Sequence, residues 1–127
     1  MSGHLEGPIP GAVTTRTGGV TVDEFPAGVG RVKRVIYPPG WIWSADMQPV
    51  TGTDTCQHVH IGFVVQGTIE VEFPDGCRLT YTAPAPVVIE AGHLGRVVGD
   101  EAVVLIQVDC GRDTEERFQL DQHSHAH

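Results

Sequence analysis

The sequence predicts an all-β domain, an antiparallel sandwich or small barrel. Three observations carry that reading. Gly (16) and Pro (9) together form about a fifth of the 127 residues, which suits a chain of many turns and few helices. Short alternating or β-branched runs recur, with turn signals roughly every 8–12 residues. Only Thr114 to Leu120 reads as a helix, with Asp113 or Thr114 as its N-cap.

The elements follow in order. The opening MSGHLEGPIPGA is Gly/Pro-rich and aperiodic, so residues 1–19 are expected to form a loose N-terminal arm. Val20 to Phe25 and Val32 to Tyr37 read as strands, and Tyr37-Pro38-Pro39-Gly40 as a turn. Trp41 and Trp43 alternate across Ile42, which predicts a strand with both indoles on one side. Thr55 to Val65 is the next extended run, interrupted by Gly62, and Gln66-Gly67 reads as a turn or bulge. Thr68 to Phe73 alternates polar and apolar throughout, and Pro74-Asp75-Gly76 ends it. Cys77 to Tyr81, Val87 to Ile89, His93 to Val98 and Ala102 to Val108 complete the strands. The tail, residues 121–127, is polar, His-containing and expected to be flexible. No repeat or linker divides the chain, so 1–127 is read as one domain, long enough to bury its own core.

Composition excludes several function classes. The net charge is -8, with eight Lys and Arg against sixteen Asp and Glu, so no basic stripe is available for nucleic acid. Arg31, Lys33 and Arg34 form the only basic cluster and read as a solvated strand face. No apolar run approaches the roughly 18 residues that would span a membrane. Cys56, Cys77 and Cys110 are odd in number and widely spaced, a poor disulfide framework. Without a recognisable signal peptide, the expected setting is the cytoplasm.

The chemistry concentrates in Thr55-Cys56-Gln57-His58-Val59-His60. On an extended strand, alternate side chains share a face, so Cys56, His58 and His60 point together, with Asp54 beside them. A thiolate and imidazoles suit zinc, iron, nickel or copper and disfavour magnesium and calcium. Closing the shell requires a donor from another strand, and His93, after the Glu90-Ala91-Gly92 turn, is the best placed. Asp46 and Glu90 are weaker candidates. On a strand running straight to Phe73, His58 and His60 would share the wet face of Glu70 and Glu72. The metal reading therefore requires the inward parity to reset near Gln66-Gly67. His123, His125 and His127 lie in the flexible tail, where ordering entropy makes them adventitious donors.

At these residues the sequence resembles the cupin superfamily. His60-Ile61-Gly62-Phe63-Val64-Val65-Gln66-Gly67-Thr68-Ile69-Glu70-Val71 is similar to the first cupin motif, and Val88-Ile89-Glu90-Ala91-Gly92-His93 to the second. The resemblance covers roughly residues 35 to 108. It is greater to small single-domain bacterial cupins that carry Pro-Gly-Trp-x-Trp-Ser (Pro39 to Ser44), Thr-Asp-Thr-Cys-Gln, and Val-Val-Gly-Asp-Glu (Val97 to Glu101). It implies a jelly-roll barrel, also called a double-stranded β-helix. The metal-ligand motif is atypical. Counted back from Gly67, His60 takes the place of the usual Glu, and Asp54 and Cys56 take that of the His-x-His pair. Gly95 takes the place of the last His, with His93 two residues earlier.

The resemblance and the residues together imply a divalent transition-metal protein with Cys56, His58, His60 and His93 as ligands. The expected activity is that of a metal-dependent enzyme of oxygenase, isomerase or cyclase type. Its small-molecule substrate would lie in the barrel, within walls of Tyr37, Trp41, Trp43 and Phe63. Asp54 and Glu90 are the candidates for acid/base work. The alternative is a non-catalytic module that binds or senses a small ligand. A homodimer that covers sheet edges is expected from the same resemblance.

Overall fold

A computed structural model describes residues 3–28, 30–52 and 59–109. The all-β expectation holds. After a single helical turn, α1 (Gly3–Glu6), come β1 (Val13–Thr17), β2 (Val20–Ala27) and β3 (Gly30–Tyr37). Two further helical turns follow, α2 (Trp43–Asp46) and α3 (Gln48–Thr51). Then come β4 (His60–Gln66), β5 (Thr68–Glu72), β6 (Arg78–Thr82), β7 (Ala85–Ile89), β8 (Leu94–Val98) and β9 (Val103–Asp109). The predicted helix, Thr114 to Leu120, lies outside the described residues, as does the tail.

The strands form two antiparallel sheets. One has six strands in the order β1-β2-β3-β9-β4-β7, and the other has three in the order β6-β5-β8. Val64, Val87, Val103 and Leu105 of the first sheet and Ile69, Val71 and Val97 of the second belong to one buried cluster. The sheets therefore face each other across a shared apolar interior, and the outer faces meet solvent or the N-terminal segment.

The chain passes from one sheet to the other at Gly67, and this passage resets the parity. On β4 the even residue Val64 faces the core, whereas on β5 the odd residues Ile69 and Val71 do. The β4–β9 register pairs Val64 with Leu105 but Gln66 with Val104, so Val65 is an extra residue in a bulge. Gly67 then adopts φ +81, and a Cβ there would lie 2.6 Å from the Ala102 carbonyl oxygen. Only glycine fits both the conformation and the space. His60 consequently shares the face of Val64 and not that of Glu70.

The N-terminal segment is not a loose arm. Val13–Thr17 pairs along its length with β2, through a tight Gly18-Gly19 hairpin turn. The strand was hidden because Val13-Thr14-Thr15-Arg16-Thr17 is exposed at every position and has no apolar alternation. Ahead of it, Leu5 and Glu6 pack on the outer face of the larger sheet. Arg34 Nη1 donates to the Leu5 carbonyl at 2.9 Å, and Gln66 Nε2 donates to the Glu6 carboxylate at 3.0 Å.

The basic cluster also differs from the sequence expectation. Arg34 is buried and donates to Asp23 from Nε at 3.0 Å and from Nη2 at 2.7 Å. Lys33 Nζ lies 2.7 Å from Asp109, and Arg31 lies 3.6 Å from Glu24. Ion pairs absorb all three charges.

Trp41 and Trp43 do not alternate along a strand. Trp41 follows the Pro38–Trp41 turn, Ile42 makes an isolated bridge to Arg96, and Trp43 begins α2. Both indoles are nevertheless buried in the common core. No helix among the described residues is long and apolar enough to cross a membrane.

Candidate metal centre

The interior of the barrel is apolar along most of its length and polar at one end. On β9 the inward residues are Val103, Leu105 and then Gln107, which is only 4% exposed. On β4 they are Val64 and, two pairs further along, His60. On the facing sheet they are Val71, Phe73 beyond the end of β5, and His93 just before β8. Each run thus ends in a polar or aromatic group at the same end.

His60 and His93 meet there. Their ring centroids are 5.1 Å apart with planes at 66°. His60 is the first residue of β4 and pairs in register with Ile89 of β7. His93 belongs to the turn that carries the chain from β7 to β8, and it is 4% exposed. Its Nδ1 donates to the Glu90 carbonyl at 2.7 Å, across the Glu90-Ala91-Gly92-His93 turn. A carbonyl can only accept, so Nδ1 carries the proton and the neutral ring has its lone pair on Nε2. Phe73 backs the same imidazole, with centroids 6.3 Å apart at 65°. On the other side, His60 Nδ1 and Gln107 Oε1 are 2.9 Å apart.

Glu90, the weak acid/base candidate, is buried. Its charge reaches Cys77 and Tyr81. Burial, then the Asp75 and Glu90 carboxylates, push the Cys77 thiol above its ordinary pKa. Burial, then Glu90 and Cys77, do the same to the Tyr81 phenol. Cys77 is accordingly a protonated thiol at neutral pH, a poor nucleophile and a poor soft ligand.

The residues expected to wall a pocket divide into two groups. Tyr37, Trp41 and Trp43 are packed in the core. Tyr37 and Trp41 are 4.8 Å apart, and Trp41 Nε1 donates to the Gly18 carbonyl at 3.1 Å. Phe63 is 44% exposed on the outer face, because the inward parity of β4 belongs to the even residues. The aromatic ring that does meet the histidines is Phe73. Its signal was the alternation Ile69, Val71, Phe73, which carries the inward face one step past the strand. Gln107 was signalled more faintly, as one polar residue at inward parity in Val103-Val104-Leu105-Ile106-Gln107-Val108. Asp54, Cys56 and His58 lie outside the described residues.

No family model and no curated protein matches the sequence. Solved structures do match in shape. The chain is similar to a cupin-2 domain from Rhodospirillum rubrum, with a TM-score of 0.58 and 17% identity over 85% of this chain and 76% of that one. It is also similar to the Schizosaccharomyces pombe Cnp3 cupin domain, with a TM-score of 0.54 and 13% identity over 91% and 81%. An RmlC-like cupin from Shewanella frigidimarina gives 0.53 and 14% over 82% and 88%. The chain has the cupin fold.

Within this cupin-fold barrel, Trp41 lies beside Gly95, where the resemblance expects the last histidine of the motif. A Cβ at Gly95 would lie 3.5 Å from the Trp41 six-membered ring. His93, two residues earlier, lies just before β8 and against Phe73. The donor chemistry fits a borderline divalent ion, since His93 offers Nε2 with its other nitrogen tied to a backbone carbonyl. Among the described residues, no three His, Cys, Asp or Glu side chains come together as a complete set. His60 and His93 are two candidate donors, and a metal shell would need at least one more.

Proposed function

We propose that this cupin-fold chain is a divalent transition-metal protein, with the ion held at the polar end of the barrel by His60 and His93 together with Cys56 and His58. One observation carries the reading: the imidazoles of His60, at the start of β4, and His93, just before β8, meet edge-on at 5.1 Å at the polar end of a largely apolar interior. A pure core would place aliphatic side chains there, because buried polar groups cost free energy unless they are bonded.

The function we assign is that of a metal-dependent enzyme acting on a small molecule in the barrel, of oxygenase, isomerase or cyclase type. When bound, the ion would supply Lewis acidity or oxygen activation. The chain's own residues do the rest. Phe73 and the core aliphatics exclude water, His93 is held in one tautomer by the Glu90 carbonyl, and the buried Glu90 carboxylate is the described candidate for proton transfer. A homodimer is part of the proposal. The exposed edge strand β1 is the surface a second copy would cover.

The test uses the full chain with His123, His125 and His127 replaced by Ala. It is loaded in turn with zinc, iron(II), nickel and copper and incubated with a panel of small metabolites, with mass-spectrometric readout. Metal-dependent conversion of a compound supports the enzyme reading. Thermal stabilisation by compounds recovered chemically unchanged would replace it with a ligand-binding module.

A further inference from the structure

We propose that Gln107 is a positioning residue: it fixes His60 in the tautomer whose lone pair is on Nε2, turned to the metal. The inference rests on the metal reading above but concerns a residue outside the ligand set.

Three observations on adjacent strands combine. First, Gln107 is almost completely buried, next in the inward row after Val103 and Leu105, where packing alone would favour another aliphatic residue. A buried amide is stable there only if its polar atoms are bonded. Second, Gln107 Oε1 is 2.9 Å from His60 Nδ1. An amide oxygen only accepts, so Nδ1–H donates and Nε2 is left as the basic nitrogen. Third, the residue directly opposite Gln107 on β4 is Gly62, not His60. A Cβ at Gly62 would lie 1.9 Å from the Ile106 carbonyl oxygen and 2.7 Å from Gln107 Cα. Glycine therefore lets β4 and β9 approach closely and clears the diagonal along which the Gln107 amide reaches His60. The Glu90 carbonyl does for His93 what Gln107 does for His60. Both imidazoles are then presented through the same nitrogen, each by an oxygen acceptor behind it.

The test uses the full chain with the three tail histidines replaced by Ala. Two-bond 15N–1H NMR reads the imidazole tautomers of the metal-free protein, with the His60 signals assigned by their loss in His60→Gln. Nδ1 of His60 is expected to be protonated in the parent. In Gln107→Met, close in volume but without an amide, the proton is expected to spread over both nitrogens. Zinc affinity, measured by chelator competition, should fall about 10- to 100-fold. Gln107→Glu, which keeps an oxygen acceptor, is expected to retain the protonated Nδ1 and most of the affinity. A merely structural role would lower heat stability in Gln107→Met without moving the tautomer, and that result overturns the proposal. So does a parent whose His60 proton sits on Nε2. If Gln107→Met does not fold, Gln107→Glu decides: loss of the Nδ1 proton there overturns the proposal. A tautomer that follows Gln107 in a protein that binds no zinc would uphold the positioning role and remove the metal reading instead.

Discussion

The imidazole of His60, at the start of β4, meets that of His93, before β8, edge-on at 5.1 Å and 66°. The two residues are 33 positions apart and reach each other only because the chain changes sheets at Gly67. Without the register shift at Val65, His60 would share the solvent face of Glu70. The bulge at Val65 and the left-handed Gly67 are therefore as much a part of the candidate centre as the histidines themselves.

The close approaches behind this geometry make a graded prediction. Gly62→Ala would force a Cβ to within 1.9 Å of the Ile106 carbonyl oxygen, so the β4–β9 backbones must separate. We expect a loss of about 3 kcal/mol or more in denaturant unfolding. Gly76→Ala is strained by a φ of +88 but meets nothing within 4 Å, so its cost should be only the conformational ~1 kcal/mol. Equal losses at both positions would argue against the tight β4–β9 contact.

The buried Asp23–Arg34 pair predicts a pH dependence. Burial works to raise the Asp23 carboxyl, but the Thr14 hydroxyl and the Arg34 guanidinium outweigh it and hold the group below its ordinary pKa. A carboxyl with a lowered folded pKa adds stability above the unfolded value, about 3.9, and loses it as pH falls toward the folded value. Asp23→Ala should cost about 3 kcal/mol at pH 7, because it leaves the Arg34 charge buried. That gap should narrow as the pH is lowered through 4 and below, since the wild-type carboxyl is then protonated. Thermal melts of both proteins from pH 7 to pH 3 check this, and a constant gap would contradict it.

Two phenylalanines separate inside from outside. Phe73 is buried against His93, and its replacement by Ala should cost about 3 kcal/mol and loosen any bound metal. Phe63 faces outward at 44% exposure, so Phe63→Ser should stay within about 1 kcal/mol of wild type and leave metal content unchanged. Parallel unfolding curves and metal analysis of the two variants provide the comparison.

Much of the fold was legible because strand alternation and turn residues report burial directly. Thr68 to Phe73 is the clearest case: its odd residues are the inward ones, as their pattern required. β1 escaped because an edge strand exposed at every position carries no apolar period. The alternation of Trp41 and Trp43 marks burial but not a strand face, because Trp43 opens a helical turn. At the site, His60 and His93 stood out as residue types with metal chemistry. Phe73 and Gln107 did not, because their roles arise from contacts between strands distant in sequence. The aromatic character of Phe63 points inward, but the even parity of β4 turns it outward.

The most direct measurement is the metal content of the full chain with His123, His125 and His127 replaced by Ala, compared with the same protein carrying His60→Ala or His93→Ala. A metal centre at His60 and His93 predicts close to one equivalent of a transition metal in the parent and a loss of most of it in each variant, with the β-sheet circular dichroism retained. Less than about a tenth of an equivalent in the parent after metal loading, or undiminished binding in both variants, would contradict it.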